Sequence, residues 1–194
     1  MSIGIGDVLR VIAAAFAEQG IRWYVFGAQA VLAHGLPRLT SDLDLTVERG
    51  ARGNQALLDA LAVIDIAPRD ATFTSLLLTS RLLPLVHNAS GIPIDIVLTD
   101  DGIELDFLDR CVQRELGGVV VPVLSVEDLI ATKAVAGRRK DEEDILGVLR
   151  MQAATLRMHE LRAVLRAFDA VLDEPRASER FETLYRRFQR ERAK

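Results

Sequence analysis

Cysteine is nearly absent. Cys111 stands alone among 194 residues, which excludes an internal disulfide and a multi-cysteine zinc site. It reads as a small buried hydrophobe on a helix rather than a nucleophile. No apolar run approaches the ~18 residues that a membrane span requires. The N-terminus carries Asp7 and Arg10 in place of a basic leader, so a cytoplasmic protein without a membrane partner is expected. Internal repeats, low-complexity segments and clear linkers are missing too. So is any surplus of positive charge: 24 basic residues against 28 acidic give −4, which argues against broad, salt-driven coating of nucleic acid. The deficit is uneven. From Arg176 to Lys194 there are seven basic and three acidic residues, a local +4, leaving −8 for residues 1–175. That basic end either touches RNA or an acidic partner, or forms an ordinary solvated helix face. A chain of this length suits one domain, or one domain with a helical extension, and buries roughly 70% of its unfolded surface.

What is present centres on Arg22 to Val47. Trp23, Tyr24, Val25 and Phe26 read as a buried strand. It stops at Gly27, and Ala28 to His34 reads as a short helix closed by Gly35. After Pro37 and a polar Arg38–Ser41 segment, Asp42 to Val47 alternates with period two. Leu43, Leu45 and Val47 then point into a core, and Asp42, Asp44 and Thr46 share the other face. Two carboxylates on one strand face repel each other unless a cation lies between them. Carboxylate oxygens suit a hard divalent ion such as Mg²⁺, which also takes phosphate oxygens as ligands. Gly27 at a strand-to-helix junction would offer backbone N–H groups to an anion.

Around this stretch the pattern predicts helices over 7–19 and 54–62, and an irregular segment over 63–81 with a short helix near 74–80. Strands Leu82–His87 and Ile92–Leu98 follow, joined by a hairpin at Asn88–Gly91. In the second of these, Asp95 falls opposite in phase to Ile94 and Ile96. It either faces water or joins Asp42 and Asp44. Glu104 to Arg114 reads as a helix broken by Gly117-Gly118, and Val119 to Val123 as a last strand. Ser125 caps a helix running to Ala136, and helices are expected over 142–153, 157–173 and 176–191. His34 reads as a capping or solvent-facing residue, and His87 as structural.

Gly27, Gly35, Arg38, Thr40 and the Asp42-x-Asp44 pair resemble the signature of the nucleotidyltransferase fold, the polymerase-beta-like superfamily. The branch they are most similar to is the AbiEii-type abortive-infection toxins. The resemblance implies an α+β fold: a small mixed sheet flanked by helices, with core residues 1–137 and a helical C-terminal region over 138–194. It implies an enzyme that transfers a nucleoside monophosphate from a nucleoside triphosphate to an acceptor hydroxyl and releases pyrophosphate. Asp42, Asp44 and Asp95 would hold two Mg²⁺ ions about 3.5–4 Å apart, with Asp95 as ligand or general base. Gly27 and Ala28 amides, Arg38 and Thr40 would receive the nucleotide. Ala28 departs from the Gly-Gly or Gly-Ser of relatives, which removes a hydroxyl ligand to phosphate.

A second run, Lys133…Arg138-Arg139-Lys140-Asp141-x-x-Asp144, also looks like the toxin branch, where the lysine and aspartates are implicated in nucleotide contact. Lys133 and Arg139 would then neutralise triphosphate charge. Alternatively Asp141 and Asp144 are first-turn acids favouring their helix dipole, and the basic residues belong to a solvated turn. Arg38 likewise either reaches a phosphate or pairs with Asp42 or Asp44. The toxin resemblance further implies RNA, transfer RNA above all, as acceptor, and a neutralising antitoxin partner. Two rival readings remain open: a non-catalytic nucleotide- or partner-binding protein on a degenerate scaffold, and an antibiotic nucleotidyltransferase.

Overall fold

The computed structural model describes residues 3–51 and 53–193. The chain divides into two compact units: Met1–Gln29 with Leu39–Val123, and Ala30–Arg38 with Leu124–Lys194. Among the described residues no helix is long and apolar enough to cross a membrane.

The first unit is built on a mixed sheet. In chain order its elements are α1 (Ile5–Gln19), β1 (Trp23–Val25), β2 (Leu43–Glu48), α3 (Gly53–Val63) and β3 (Ile66–Pro68). There follow a 3₁₀ turn (Ala71–Phe73), α4 (Thr74–Leu77), β4 (Leu82–His87), β5 (Ile92–Thr99), α5 (Ile103–Arg110), β6 (Val112–Leu116) and β7 (Val119–Val123). The strands lie in the order β3-β4-β5-β2-β1-β7-β6. The β2–β5 and β1–β7 pairs are parallel, the others antiparallel. β2 is therefore central, and Leu43, Leu45 and Val47 are fully buried beside Ile94, Ile96 and Leu98 of β5. Such burial of branched aliphatics is worth about 1.5–3 kcal/mol per side chain, so the phase of β2 is strongly determined. A one-residue slip would drive its carboxylates into the core.

Two expectations fail in this unit. Residues 112–114 are not the end of a helix but part of β6, because Gly117-Gly118 makes a turn rather than a break. Both glycines have positive φ, 57° and 78°, the requirement of a two-residue hairpin loop, and this folds Val112–Leu116 back onto β7. The segment expected to be irregular contains β3, which pairs with β4. Three residues are too few to reveal a period.

The second unit is helical: α6 (Val126–Ala136), α7 (Arg139–Gln152), α8 (Met158–Leu172) and α9 (Arg176–Arg192). Ser125 caps α6 by accepting the Asp128 N–H at 3.1 Å. Asp169 accepts the N–H groups of Ala177 and Ser178 at the start of α9. Buried Leu129, Ile145, Leu149, Leu161, Leu165, Phe181 and Phe188 belong to these helices. α6 belongs with α7–α9, and Ala30–Arg38 joins them. His34 is buried, not solvent-facing, with Nε2 2.8 Å from the Leu124 carbonyl, and Gln152 donates to the His34 carbonyl at 2.9 Å. Leu36 fills the space that a Cβ on Gly147 would occupy. These long-range partners decide where the short segment packs, and no local pattern announces them.

Candidate active site

In the sheet unit the acidic row is organised by β2 and β5. Asp44 is the ladder partner of Asp95, one step along from the fully buried pairs Leu43–Ile94 and Leu45–Ile96. Residues paired across a ladder share a face and successive residues alternate, so both carboxylates leave the core on the same side. Adjacent strands are ~4.8 Å apart, and like charges opposite each other are destabilising. Asp42 comes just before β2, and its carboxylate accepts the Thr40 hydroxyl.

Gly27 meets this row from the neighbouring strand. The Phe26 N–H donates to the Asp44 carbonyl at 2.9 Å, which registers the start of α2 (Gly27–Ala33) against β2. Gly27 has φ +65°, and a Cβ there would collide with the Asp44 carboxylate. Glycine is needed twice over, for conformation and for space. Ala28 follows within the first turn of α2. The bare backbone beside a carboxylate is the kind of close approach that a nucleotide phosphate with a hard cation exploits.

Arg69, which follows β3, carries the part that sequence reasoning missed. Its Nη2 lies 2.5 Å from Asp95 Oδ1, and its Nε and backbone N–H donate to the Leu85 and Pro84 carbonyls, each at 3.0 Å. The guanidinium is thus anchored to β4 and neutralises one of the three acids. In sequence, Arg69 falls within the 63–81 segment expected to be irregular. Among the described residues no three His, Cys, Asp or Glu side chains form a cage for a metal ion. The donor set still fits a hard cation, since Asp42 and Asp44 supply oxygens only. Mg²⁺ keeps waters and binds through one or two carboxylates plus substrate phosphates.

The helical unit holds the second motif in another state. Lys133 Nζ lies 2.6 Å from Asp144 Oδ2 and 3.2 Å from Asp141 Oδ1. Arg38 pairs with Asp144, not with Asp42 or Asp44 as its alternative reading had it. Arg138 Nε lies 2.6 Å from Asp141 Oδ2, and the Arg138 N–H donates to the same oxygen at the start of α7. Asp141 and Asp144 are 1% and 2% exposed, and Lys133 is 8% exposed. Burial pushes the Asp141 carboxyl up, but the Arg138 hydrogen bonds and the Lys133 charge outweigh it and hold the group below its ordinary value. Two carboxylates thus face three cations. Arg139 is not part of this network: it is 94% exposed and pairs with Glu143, one turn along α7.

Cys111 sits just past α5 rather than on it, half-buried, donating to the Leu108 carbonyl. Burial raises its thiol pKa, the opposite of what a nucleophile requires. His87 is structural, with Nδ1 2.8 Å from Ser90 Oγ across the hairpin turn.

The mixed sheet, with acids on its central strands and a glycine at the β1–α2 junction, is the nucleotidyltransferase fold. Solved structures with this fold include ANT(2'')-Ia in complex with adenylyl-2''-tobramycin, 15% identical, with a TM-score of 0.59 over 85% of this chain and 97% of that one. The lincosamide antibiotic adenylyltransferase LnuA, lincomycin-bound, is 14% identical, with a TM-score of 0.54 over 75% and 96%. An antigenic nucleotidyltransferase-like protein from Paracoccidioides brasiliensis is 18% identical, with a TM-score of 0.52 over 91% of each chain. At such identities the likeness is one of fold. No curated protein sequence matches. Residues 6–180 match the family described as nucleotidyl transferase of unknown function (DUF2204), and the chain belongs to that family. It is a nucleotidyltransferase, a class that generally works with a divalent metal and takes a nucleoside triphosphate as substrate.

Proposed function

We propose that the protein transfers a nucleoside monophosphate from a nucleoside triphosphate to an RNA hydroxyl, with transfer RNA the favoured class, at the acidic row of the sheet unit. The observation that carries this reading is the pairing of Asp44 with Asp95, with Gly27 backbone packed against the Asp44 carboxylate. Asp42 and Asp44 would hold the metal, two Mg²⁺ ions being expected. Bound Mg²⁺ supplies charge neutralisation at the phosphates and lowers the pKa of a coordinated hydroxyl.

The chain's own residues do the rest. Backbone N–H groups at Gly27 and Ala28 receive phosphate oxygens, with Thr40 holding Asp42 in orientation. Asp95, fixed by Arg69, completes the row and accepts the proton of the attacking hydroxyl. The new bond joins that oxygen to the α-phosphorus, the bond to the bridging oxygen breaks, and pyrophosphate leaves. Catalysis of this kind is mainly positioning and electrostatic stabilisation. In this reading Arg38, Lys133, Asp141 and Asp144 bear on the nucleotide through the stability of their unit, and Arg139 is a surface residue.

A toxin role beside a cognate antitoxin, in a toxin–antitoxin or phage-defence pair, is the biological setting that the AbiEii-like motifs favour. A second reading keeps the chemistry and changes the acceptor to a cationic small molecule. It draws on the antibiotic adenylyltransferases among the fold relatives and on the sheet unit's eight basic and fifteen acidic residues. One experiment separates them: the protein with each α-labelled nucleoside triphosphate, Mg²⁺, and either total RNA or an aminoglycoside panel. Label in RNA that is lost in Asp42→Asn supports the first reading, and label only in the small molecule supports the second. Absence of label everywhere overturns both and leaves the non-catalytic scaffold.

A further inference from the structure

The helical unit has sixteen basic and thirteen acidic residues, a net +3, where the sheet unit has −7. The surplus concentrates on α9. Its buried stripe of Ala177, Phe181, Leu184 and Phe188 anchors the helix. Thr183, Arg186, Arg187 and Arg190 run along another face at three- and four-residue spacing, the arrangement that places side chains side by side on a helix.

Of the three acids of α9, Glu179 lies one turn before Thr183 on this face, and the other two are already held by arginines. Glu182 is taken by Arg162 of α8, with Nε at 2.7 Å. Glu191 is shared by Arg150 at 2.6 Å and Arg187 at 3.1 Å, so one carboxylate meets two guanidinium groups. Among the described residues neither Arg186 nor Arg190 reaches a carboxylate. Arg186 donates instead to the Glu182 carbonyl at 3.2 Å. Thr183, Arg186, Arg187, Arg190 and Glu191 line an open groove of about 430 Å³. Here forked donors crowd one open face of α9 with an excess of positive charge, which suits phosphodiester oxygens.

We propose that this α9 groove docks the sugar–phosphate backbone of the RNA acceptor. The inference rests on the transfer reading for its biological sense but stands on its own geometry. It concerns binding and positions no reacting group.

The test is fluorescence anisotropy of the full-length protein with labelled transfer RNA over a salt series. Wild type is compared with the double variants Arg186→Glu/Arg190→Glu and Arg186→Gln/Arg190→Gln. Arg114→Glu/Lys140→Glu, at exposed positions elsewhere, controls for net charge. The inference predicts at least tenfold weaker binding for the first variant. For the neutral variant it predicts a slope of log affinity against log salt shallower by roughly 1.5–2, as expected when two phosphate contacts are lost. The control should bind within threefold of wild type.

Unchanged affinity and slope in both α9 variants would overturn it. So would loss of an acidic protein partner with RNA binding intact. Failure of the transfer reading looks different. Asp44→Asn should keep RNA affinity and lose labelling, whereas the α9 variants should raise the KM for RNA and keep kcat. RNA that binds through α9 but takes no label from any nucleotide would sink the transfer reading and leave the groove assignment intact.

Discussion

The two units handle the same residue type in opposite ways. In the sheet unit Asp44 and Asp95 stand side by side and partly exposed, with Arg69 paired to Asp95. In the helical unit Asp141 and Asp144 are buried, and Lys133, Arg38 and Arg138 more than match them. Both pairs occur in motif-like runs, and sequence spacing alone treats them alike. Burial separates them. A buried, matched pair has no charge to offer a ligand and holds its unit together. A half-exposed pair stays open to a ligand from solvent.

The largest effect that sharpens this contrast comes from Lys133→Met. Removing one partner of a buried ion network strands the others, at about 3–5 kcal/mol, so chemical denaturation should show a large loss of stability. Asp44→Asn, at a half-exposed position, should change stability far less, by no more than ~1 kcal/mol in either direction. If Lys133→Met proves as stable as wild type, the two regions do not differ as described.

Next in size is Gly27→Ala. Positive φ and collision with the Asp44 carboxylate together should cost about 1–3 kcal/mol and depress transfer more than stability. A variant with normal turnover would mean that the close approach of backbone to Asp44 is irrelevant to the site.

A smaller effect is the acid limb of the stability curve. Asp141 titrates below its ordinary value of 3.8 when folded. The unfolded chain therefore binds more protons near that pH, and stability rises with pH there. Its contribution is complete above about pH 3.8 and is lost as pH falls through the folded value. Asp141→Asn should flatten that limb. The smallest effect is that of Arg139→Ala, an exposed i,i+4 pair worth no more than ~0.5 kcal/mol, measurable as a near-zero shift in Tm.

Much of the sheet unit was legible in sequence because its signals are local. The alternation of Asp42–Val47, the glycine after an apolar run, and the interruption of Ile94–Ile96 by Asp95 follow from period two and the cost of buried charge. Thus the α+β class and the β4–β5 hairpin could be read directly, and Asp95 could be narrowed to facing water or joining Asp42 and Asp44. What could not be read depends on distant partners. Arg38 and Asp144 are 106 residues apart in sequence, so nothing near Arg38 reveals its carboxylate. Arg69 lies in a turn 26 residues before Asp95. β6 was hidden because a Gly-Gly pair ends a helix as readily as it turns a hairpin, and the affiliation of α6 is a matter of tertiary packing.

The most direct test of the contrast is the paramagnetic broadening of backbone amide signals by a Mn²⁺–nucleotide complex titrated into isotope-labelled protein. The account predicts that Gly27, Asp42, Asp44 and Asp95 broaden first, and that Asp44→Asn abolishes the effect. Broadening centred on Lys133, Asp141 and Asp144, with Gly27 and Asp44 untouched, would contradict it.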